Sequence, residues 1–208
     1  MGDFGEKLVQ LSEGGRLAYI PNALDHVPIE DQEETRNRNL TDLRKLGVSV
    51  EILNLKDFFS RRSQLESELS HFAGVWVTGG NTFVLRQAMK LSDFDQVLTD
   101  LCSTSRSCSF LYGGYSAGIC VLAPDLRALQ IVDDPQKFPY PEQTEVIWEG
   151  LNLLDYIILP HYKSDHPESD DIGNAIAYCK AHEIPFRPLR DGEVLFGNSI
   201  EMLRSDRR

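Results

Sequence analysis

Short apolar runs alternate along this chain with longer segments whose apolar residues recur at helical spacing, and that alternation predicts an architecture before any single residue is weighed. Residues 16–21 (RLAYIP), 48–53, 74–77 (GVWV), 108–112 and 156–159 (YIIL) are the apolar runs, each of the length of a buried strand. Between them lie segments of helical character at residues 29–46, which stop at Gly47, then about 60–70, from 82 onward, 93–105, 117–122 and 168–182. A β-α unit repeated in this way predicts an α/β protein with a doubly wound, mostly parallel sheet and helices on both faces. Residues 193–196 and 200–203 close the pattern as a hairpin turned at Gly197-Asn198. The pattern lapses over residues 123–141, where Pro124, Pro135, Pro139 and Pro141 predict an irregular excursion over the surface. No repeat, low-complexity tract or linker divides residues 1–208, so one domain is expected.

Composition narrows the functions. A formal charge of -11 leaves no basic stripe to neutralise phosphates, so nucleic acid is not expected as a partner. The four cysteines, Cys102, Cys108, Cys120 and Cys179, form no CxxC pair and read as reduced, mostly buried thiols, which points to the cytoplasm. Residues 1–11 show neither the apolar core of a leader nor a strand-like run, and no stretch of 18 apolar residues predicts a membrane span. A monomer or a homodimer fits this composition equally well.

Candidate chemistry is concentrated where apolar runs end, because ligands of open parallel sheets bind beyond the carboxyl ends of the strands. Gly114-Tyr115-Ser116-Ala117-Gly118 lies between an apolar run and a small-residue helix start, the setting in which a strand-to-helix elbow presents a nucleophilic serine. A serine hydroxyl needs a base, and imidazole has the right pKa near neutrality. Of five histidines, His26, His71 and His182 sit in polar segments and read as surface residues, whereas His161 directly follows a strand end, with His166 in reserve. Asp191, before Gly192, is the candidate acid to orient the imidazole, and Glu193 is its rival. Backbone N–H groups of Ala117 and Gly80, the latter in the loop Gly79-Gly80-Asn81, are the candidate oxyanion donors. His161, Asp165, His166, Glu168, Asp170 and Asp171 could be read as metal ligands, but no HExxH and no histidine pair at helical spacing exists, so a solvated acidic loop is expected and no metal. The glycine loop lacks the lysine and threonine of a P-loop, and no cofactor is expected.

With these residues in place the chain resembles the peptidase E serine peptidases, aspartyl dipeptidase and its relatives, which include cyanophycinase. The likeness rests on Val77-Thr78-Gly79-Gly80-Asn81-Thr82-Phe83, Gly114-Tyr115-Ser116-Ala117-Gly118, Pro160-His161-Tyr162, Ile131-Val132-Asp133 and Leu189-Arg190-Asp191-Gly192, spread over residues 16–200. The resemblance implies a fold like that of class I glutamine amidotransferases, Ser116 as nucleophile, His161 as base, Asp191 where aspartyl dipeptidase has glutamate, and oxyanion donors at Gly80 and Ala117. It implies a short peptide substrate. Where aspartyl dipeptidase uses an arginine shortly past the histidine to hold an aspartate, this chain has Lys163 among Asp165, Glu168, Asp170 and Asp171, so peptides with a neutral or basic first residue are expected. The alternatives are an esterase or amidase with the same triad acting on a small metabolite, and a non-catalytic binding protein on the same fold.

Overall fold

The apolar runs become the strands of a parallel sheet in the computed structural model, which describes residues 2–103, 110–197 and 199–202. Strands β1 (Leu17–Ile20), β2 (Val50–Ile52), β3 (Gly74–Val77) and β4 (Leu111–Gly114) pair in the order β2-β1-β3-β4, all parallel. Strand β1 is flanked on both sides and every residue of it is buried, which is why its sequence is a continuous apolar run rather than an alternating one. Its side chains still divide by the two-residue period of a strand. Leu17 and Tyr19 pack on one face with Leu40, Leu43 and Val48, while Ala18 and Ile20 pack on the other with Leu65, Leu69, Val84 and Met89.

Helices supply those partners. Helix α1 (Gly2–Leu11) and helix α2 (Ile29–Lys45) cover the first face, α1 through Leu8 and α2 through Leu40 and Leu43. Helix α3 (Arg62–Leu69), helix α4 (Thr82–Leu91) and helix α5 (Phe94–Ser103) cover the second, α5 through Phe94, Val97 and Leu98. Each fully buried leucine of these faces contributes about 1.5–3 kcal/mol relative to an exposed one. Helix α2 carries Glu30 and Asp31 in its first turn and Arg44 and Lys45 in its last, charges that oppose its dipole favourably.

The second half of the chain adds helix α6 (Ala117–Cys120), strand β5 (Ile157–Leu159), helix α7 (Ser169–Ala181), strand β6 (Phe186–Pro188), and strands β7 (Glu193–Phe196) and β8 (Ser199–Met202). Strands β5 and β6 form a separate parallel ladder, and β7 and β8 an antiparallel one. Helix α7 seals the first ladder with Ile172, Ala175, Ile176 and Cys179 against Ile157 and Leu159. The thiol of Cys120, at the end of α6, donates to the carbonyl oxygen of Ile158 at 3.4 Å and so ties this ladder to the main sheet.

Several boundaries differ from the sequence pattern. The run expected at 108–112 is a strand only from Leu111, and it continues through the glycines to Gly114 so that Gly114 can sit opposite Val77; Cys108 and Ser109 lie outside the described residues. Helix α6 stops four residues in, two short of expectation, because the chain turns at once toward Pro124. Strand β6 and helix α1 have no counterpart in the pattern. The hairpin stands where it was expected, with β8 beginning at Ser199; Asn198 and Leu203 are outside the described residues. The proline-rich excursion contains a 3-10 stretch at Arg127–Ile131 and is pinned down by buried Tyr140, whose hydroxyl donates to Asp25 Oδ2 at 2.5 Å. From α4, Gln87 Nε2 donates to the carbonyl of Lys137 within the excursion, and Arg86 Nε to that of Glu149 beyond its end, both at 2.8 Å. Among the described residues no helix is long and apolar enough to cross a membrane.

Candidate active site

Strand β4 ends at Gly114, and two residues later Ser116 turns the chain into α6 with φ 49° and ψ -123°. L-residues rarely adopt this conformation, and holding one there costs on the order of 1–3 kcal/mol. The surroundings enforce it. A Cβ on Gly118 would lie 2.4 Å from the carbonyl oxygen of Val77, and one on Gly114 would lie 2.6 Å from the same oxygen. Only residues without side chains let β4 and α6 close around the end of β3, and that closure drives the backbone at Ser116 into its strained turn.

Beneath the elbow Tyr115 is fastened by a small polar network. Asn39 Nδ2, with two N–H donors to share, lies within hydrogen-bonding distance of the hydroxyl oxygens of Tyr115 at 2.6 Å, Tyr19 at 3.0 Å and Thr78 at 3.2 Å, and the Thr78 and Tyr115 hydroxyls are 2.9 Å apart. Asn39, on α2, had no mark in the sequence that set it apart from the other polar residues of its helix.

The loop after β3 forms the opposite wall. Gly80 has φ 138°, and a Cβ there would meet the carbonyl oxygen of Ala23 at 2.5 Å. Asn81 caps α4, its Oδ1 accepting from the N–H groups of Phe83 and Val84 at 2.9 and 3.0 Å, while its Nδ2 donates to the carbonyl of Asp134 at 2.9 Å. The N–H groups of Gly80 and Ala117 have no hydrogen-bond acceptor among the described residues, so both are free to donate to a ligand.

His161 follows β5 directly, at φ 62°, and its Nδ1 lies 2.8 Å from Asp191 Oδ1. The imidazole is largely covered, at 17% side-chain exposure, whereas the carboxylate is half open at 52%. Glu193, the rival acid, faces the other way: its Oε2 accepts the Arg190 N–H at 2.8 Å. The ring of His166 stacks on that of His161 with centroids 3.8 Å apart and planes 14° from parallel. Ser116 and His161 line one cavity of about 450 Å³, together with Gly80, Tyr115, Asp133 and Lys137. No hydrogen bond joins the Ser116 hydroxyl to the His161 ring among the described residues.

Among the charged side chains that line the cavity, acids outnumber bases, with Asp133, Asp134 and Glu168 against Lys137. Asp133 sits beside the elbow, its Oδ2 accepting the Thr82 N–H at the start of α4 at 2.8 Å. Burial pushes its pKa up to about 6, against the effect of that hydrogen bond and with a further upward push from the Glu168 charge. Lys137 Nζ, 3.7 Å from Asp134 Oδ2, is balanced by its own neighbour. Lys163, the cation the sequence offered past the histidine, instead lies over the ring of Tyr162 at 5.2 Å. His26 departs from the sequence reading of a surface residue: it lines the cavity, and burial lowers its pKa. Its position before Val27 and Pro28 gave no hint of this, since the sequence shows no period there.

Of the six residues weighed as metal ligands, the fold gathers three. His161, His166 and Glu168 each present a ligand atom, and these atoms lie within 4.8 Å of one another. Sequence spacing missed them because the His161 to His166 segment is a loop, in which the helical ligand periods do not apply.

Residues 4–202 match the family model described as Peptidase family S51. The chain is 25% identical over 191 residues to an uncharacterized peptidase of Listeria monocytogenes, covering 92% of this chain and 86% of that one. It is 36% identical over 152 residues to an uncharacterized peptidase of Listeria innocua, 73% of this chain and 66% of that one. Among solved structures, a candidate peptidase E protein of Listeria monocytogenes EGD-e superposes with TM-score 0.72 at 23% identity, covering 95% and 91% of the two chains. A peptidase from an acI-B1 Actinobacterium gives TM-score 0.56 at 16% identity, over 84% and 68%. These likenesses show the fold, which is consistent with the doubly wound sheet expected from the alternating elements and with the amidotransferase-like architecture that the resemblance implied.

Two outcomes follow from the site's packing and charge. Gly118→Ala drives a methyl group into the Val77 carbonyl and is expected to cost about 1–3 kcal/mol in urea denaturation; an unchanged midpoint would show that the elbow can open. The raised pKa of Asp133 means that its contribution to stability is present below its unfolded value of 3.8 and is lost as pH rises through about 6. Asp133→Asn, which keeps an acceptor for Thr82, is therefore expected to gain about 2 kcal/mol on the wild type as pH rises across that window, less than the full shift because some solvent contact remains. Paired denaturation curves at the two ends check this, and a flat difference refutes it.

Proposed function

The chain belongs to peptidase family S51, and from that premise we propose that it is a serine-type peptidase that hydrolyses short peptides through an acyl-enzyme. The observation that carries the reading is the 2.8 Å contact between His161 Nδ1 and Asp191 on the same cavity as a serine held at positive φ. In this reading Ser116 is the nucleophile, His161 the base and Asp191 the acid.

The chemistry runs from that geometry. Asp191 accepts the Nδ1–H of His161, which fixes the tautomer and leaves Nε2 with a lone pair to take the Ser116 hydroxyl proton. The serine oxygen attacks the peptide carbonyl carbon, and the negative charge that develops on the carbonyl oxygen is met by the free N–H groups of Gly80 and Ala117. As the intermediate collapses, the leaving amine takes the proton from His161. Water then repeats the sequence on the acyl-enzyme and releases the acid. The missing contact between serine and imidazole is compatible with this, since catalytic hydrogen bonds often tighten only when substrate excludes water.

The cavity's contents support the substrate class. Its volume suits a ligand of dipeptide size. Asp133 and Glu168 on its wall favour a substrate carrying positive charge, such as a free α-ammonium group with a neutral or basic first side chain. An aspartate side chain would meet those acids, with Lys137 already balanced by Asp134. Buried Cys120 and Cys179 are free thiols, which supports work in the cytoplasm. The reading treats residues 1–208 as one catalytic domain, a monomer or a homodimer.

Steady-state hydrolysis of a dipeptide panel with acidic, neutral and basic first residues tests this. Ser116→Ala is expected to lower kcat by roughly 10⁴-fold or more, Asp191→Asn by about 10²–10⁴-fold, and Glu193→Gln by little. Basic and neutral first residues are expected to be cleaved faster than aspartate. Retention of more than about a tenth of wild-type turnover by Ser116→Ala removes the serine mechanism, and a clear preference for aspartate removes the substrate assignment.

A further inference from the structure

We propose that His161, His166 and Glu168 form a zinc site, and that a zinc ion bound there switches the enzyme off. Binding itself does not depend on the peptidase reading; only its consequence for turnover does.

The donor set is two imidazoles and a carboxylate, which suits a borderline-soft divalent ion and is the set of several three-ligand zinc sites. Their ligand atoms are mutually within 4.8 Å, and His166 Nδ1 and Glu168 Oε2 are 3.8 Å apart. A tetrahedral zinc with bonds of about 2.0–2.2 Å sets its ligand atoms roughly 3.4 Å apart, so from separations of up to 4.8 Å the cluster must contract by at most about 1.4 Å. His166 and Glu168 are free to do this, with side chains 37% and 38% exposed. The competing interaction is slight: His166 Nδ1 accepts a long 3.3 Å bond from the Glu168 N–H.

The surroundings of His161 complete the case. Asp191 already holds its Nδ1 at 2.8 Å, leaving Nε2 as the ligand atom. A ligating histidine whose other nitrogen donates to a carboxylate is the arrangement that fixes ring orientation and raises basicity in zinc sites. Asp133 on the same wall adds negative charge that favours a cation. The stacked rings present two imidazoles side by side, an arrangement that neither the acyl-transfer steps nor the packing of the core calls for.

A zinc ion on Nε2 occupies the lone pair that would accept the Ser116 proton, so ion and proton exclude each other at one atom. No covalent chemistry is involved. The ion binds neutral imidazoles and the Glu168 carboxylate, displacing a proton where a ligand carries one that blocks its donor atom, and leaves when chelated.

Isothermal titration of the metal-stripped full chain with zinc chloride near neutral pH tests the site. One ion per chain is expected with micromolar or tighter affinity, weakened about tenfold or more in His166→Ala and in Glu168→Gln. Thermal unfolding of the metal-free variants, expected to match wild type, separates loss of a ligand from loss of fold. Wild-type turnover is expected to fall in step with zinc occupancy and return with EDTA, and His166→Ala to keep its own metal-free rate at zinc concentrations that silence the wild type. Absence of binding at micromolar zinc, or affinity unchanged in both variants, overturns the site. Binding that depends on His166 in a chain that cleaves no peptide even when metal-free would uphold the zinc site and remove the peptidase mechanism instead.

Discussion

The carbonyl oxygen of Val77 is the point at which β3, β4 and α6 come together, and the placement of the serine follows from it. Both elbow glycines approach that one oxygen closer than any side-chain-bearing residue could. With strand and helix locked there, the two residues between must complete the reversal in almost no length of chain, and Ser116 takes up the difference as a strained φ. The sheet's register serves the same contact, since Val77 sits opposite Gly114. Tyr115 is then held from below by the Asn39, Thr78 and Tyr19 network, and Gly80 is pressed against Ala23 from the side.

The imidazole–carboxylate pair lies outside that locked corner. His161 and Asp191 come from the other ladder, each just beyond a strand of the β5–β6 pair, which brings residues 30 apart in sequence to hydrogen-bonding distance. The two halves are joined through the Cys120 thiol on the Ile158 carbonyl. They also share an apolar cluster in which Cys120 and Phe83 pack with Ile157, Leu159 and α7. The irregular excursion, held by Tyr140 and Gln87, brings Asp133 to the same corner. The cavity is therefore walled by five stretches of the chain, within residues 24–35, 79–81, 115–116, 132–137 and 161–168.

How much of this the sequence disclosed depends on the range of the interaction responsible. The β-α alternation is a local signal, and it gave the parallel sheet and the glycine elbow because both are written in neighbouring residues. His161 could be picked out since it follows an apolar run and strand ends are where sites collect, and Asp191 as the carboxylate before Gly192 in a segment that carries the family resemblance. Strand β6 was hidden because Pro185 and Pro188 leave only Phe186 and Arg187 between two breakers, while its stability comes from β5, nearly 30 residues away. Helix α1 was hidden because its apolar side has meaning only against Leu40, Leu43 and Val48. Asn39 meets a tyrosine 76 positions on, and no periodicity reaches that far. The acidic face of the cavity was legible only as composition: the excess of carboxylates is plain in the sequence, but not that Asp133 and Glu168 turn toward the serine.

The elbow and the Asp191 turn differ in how freely they can vary. At the elbow the constraint is backbone against backbone, so neither glycine can be exchanged without moving a strand of the main sheet. Asp191 stands half in solvent on a tight turn, touching the imidazole by one oxygen. A longer carboxylate could reach the same nitrogen by a small adjustment of that turn alone. A change of carboxylate at residue 191 is thus absorbed within one turn, whereas a change at either elbow glycine is carried into the main sheet.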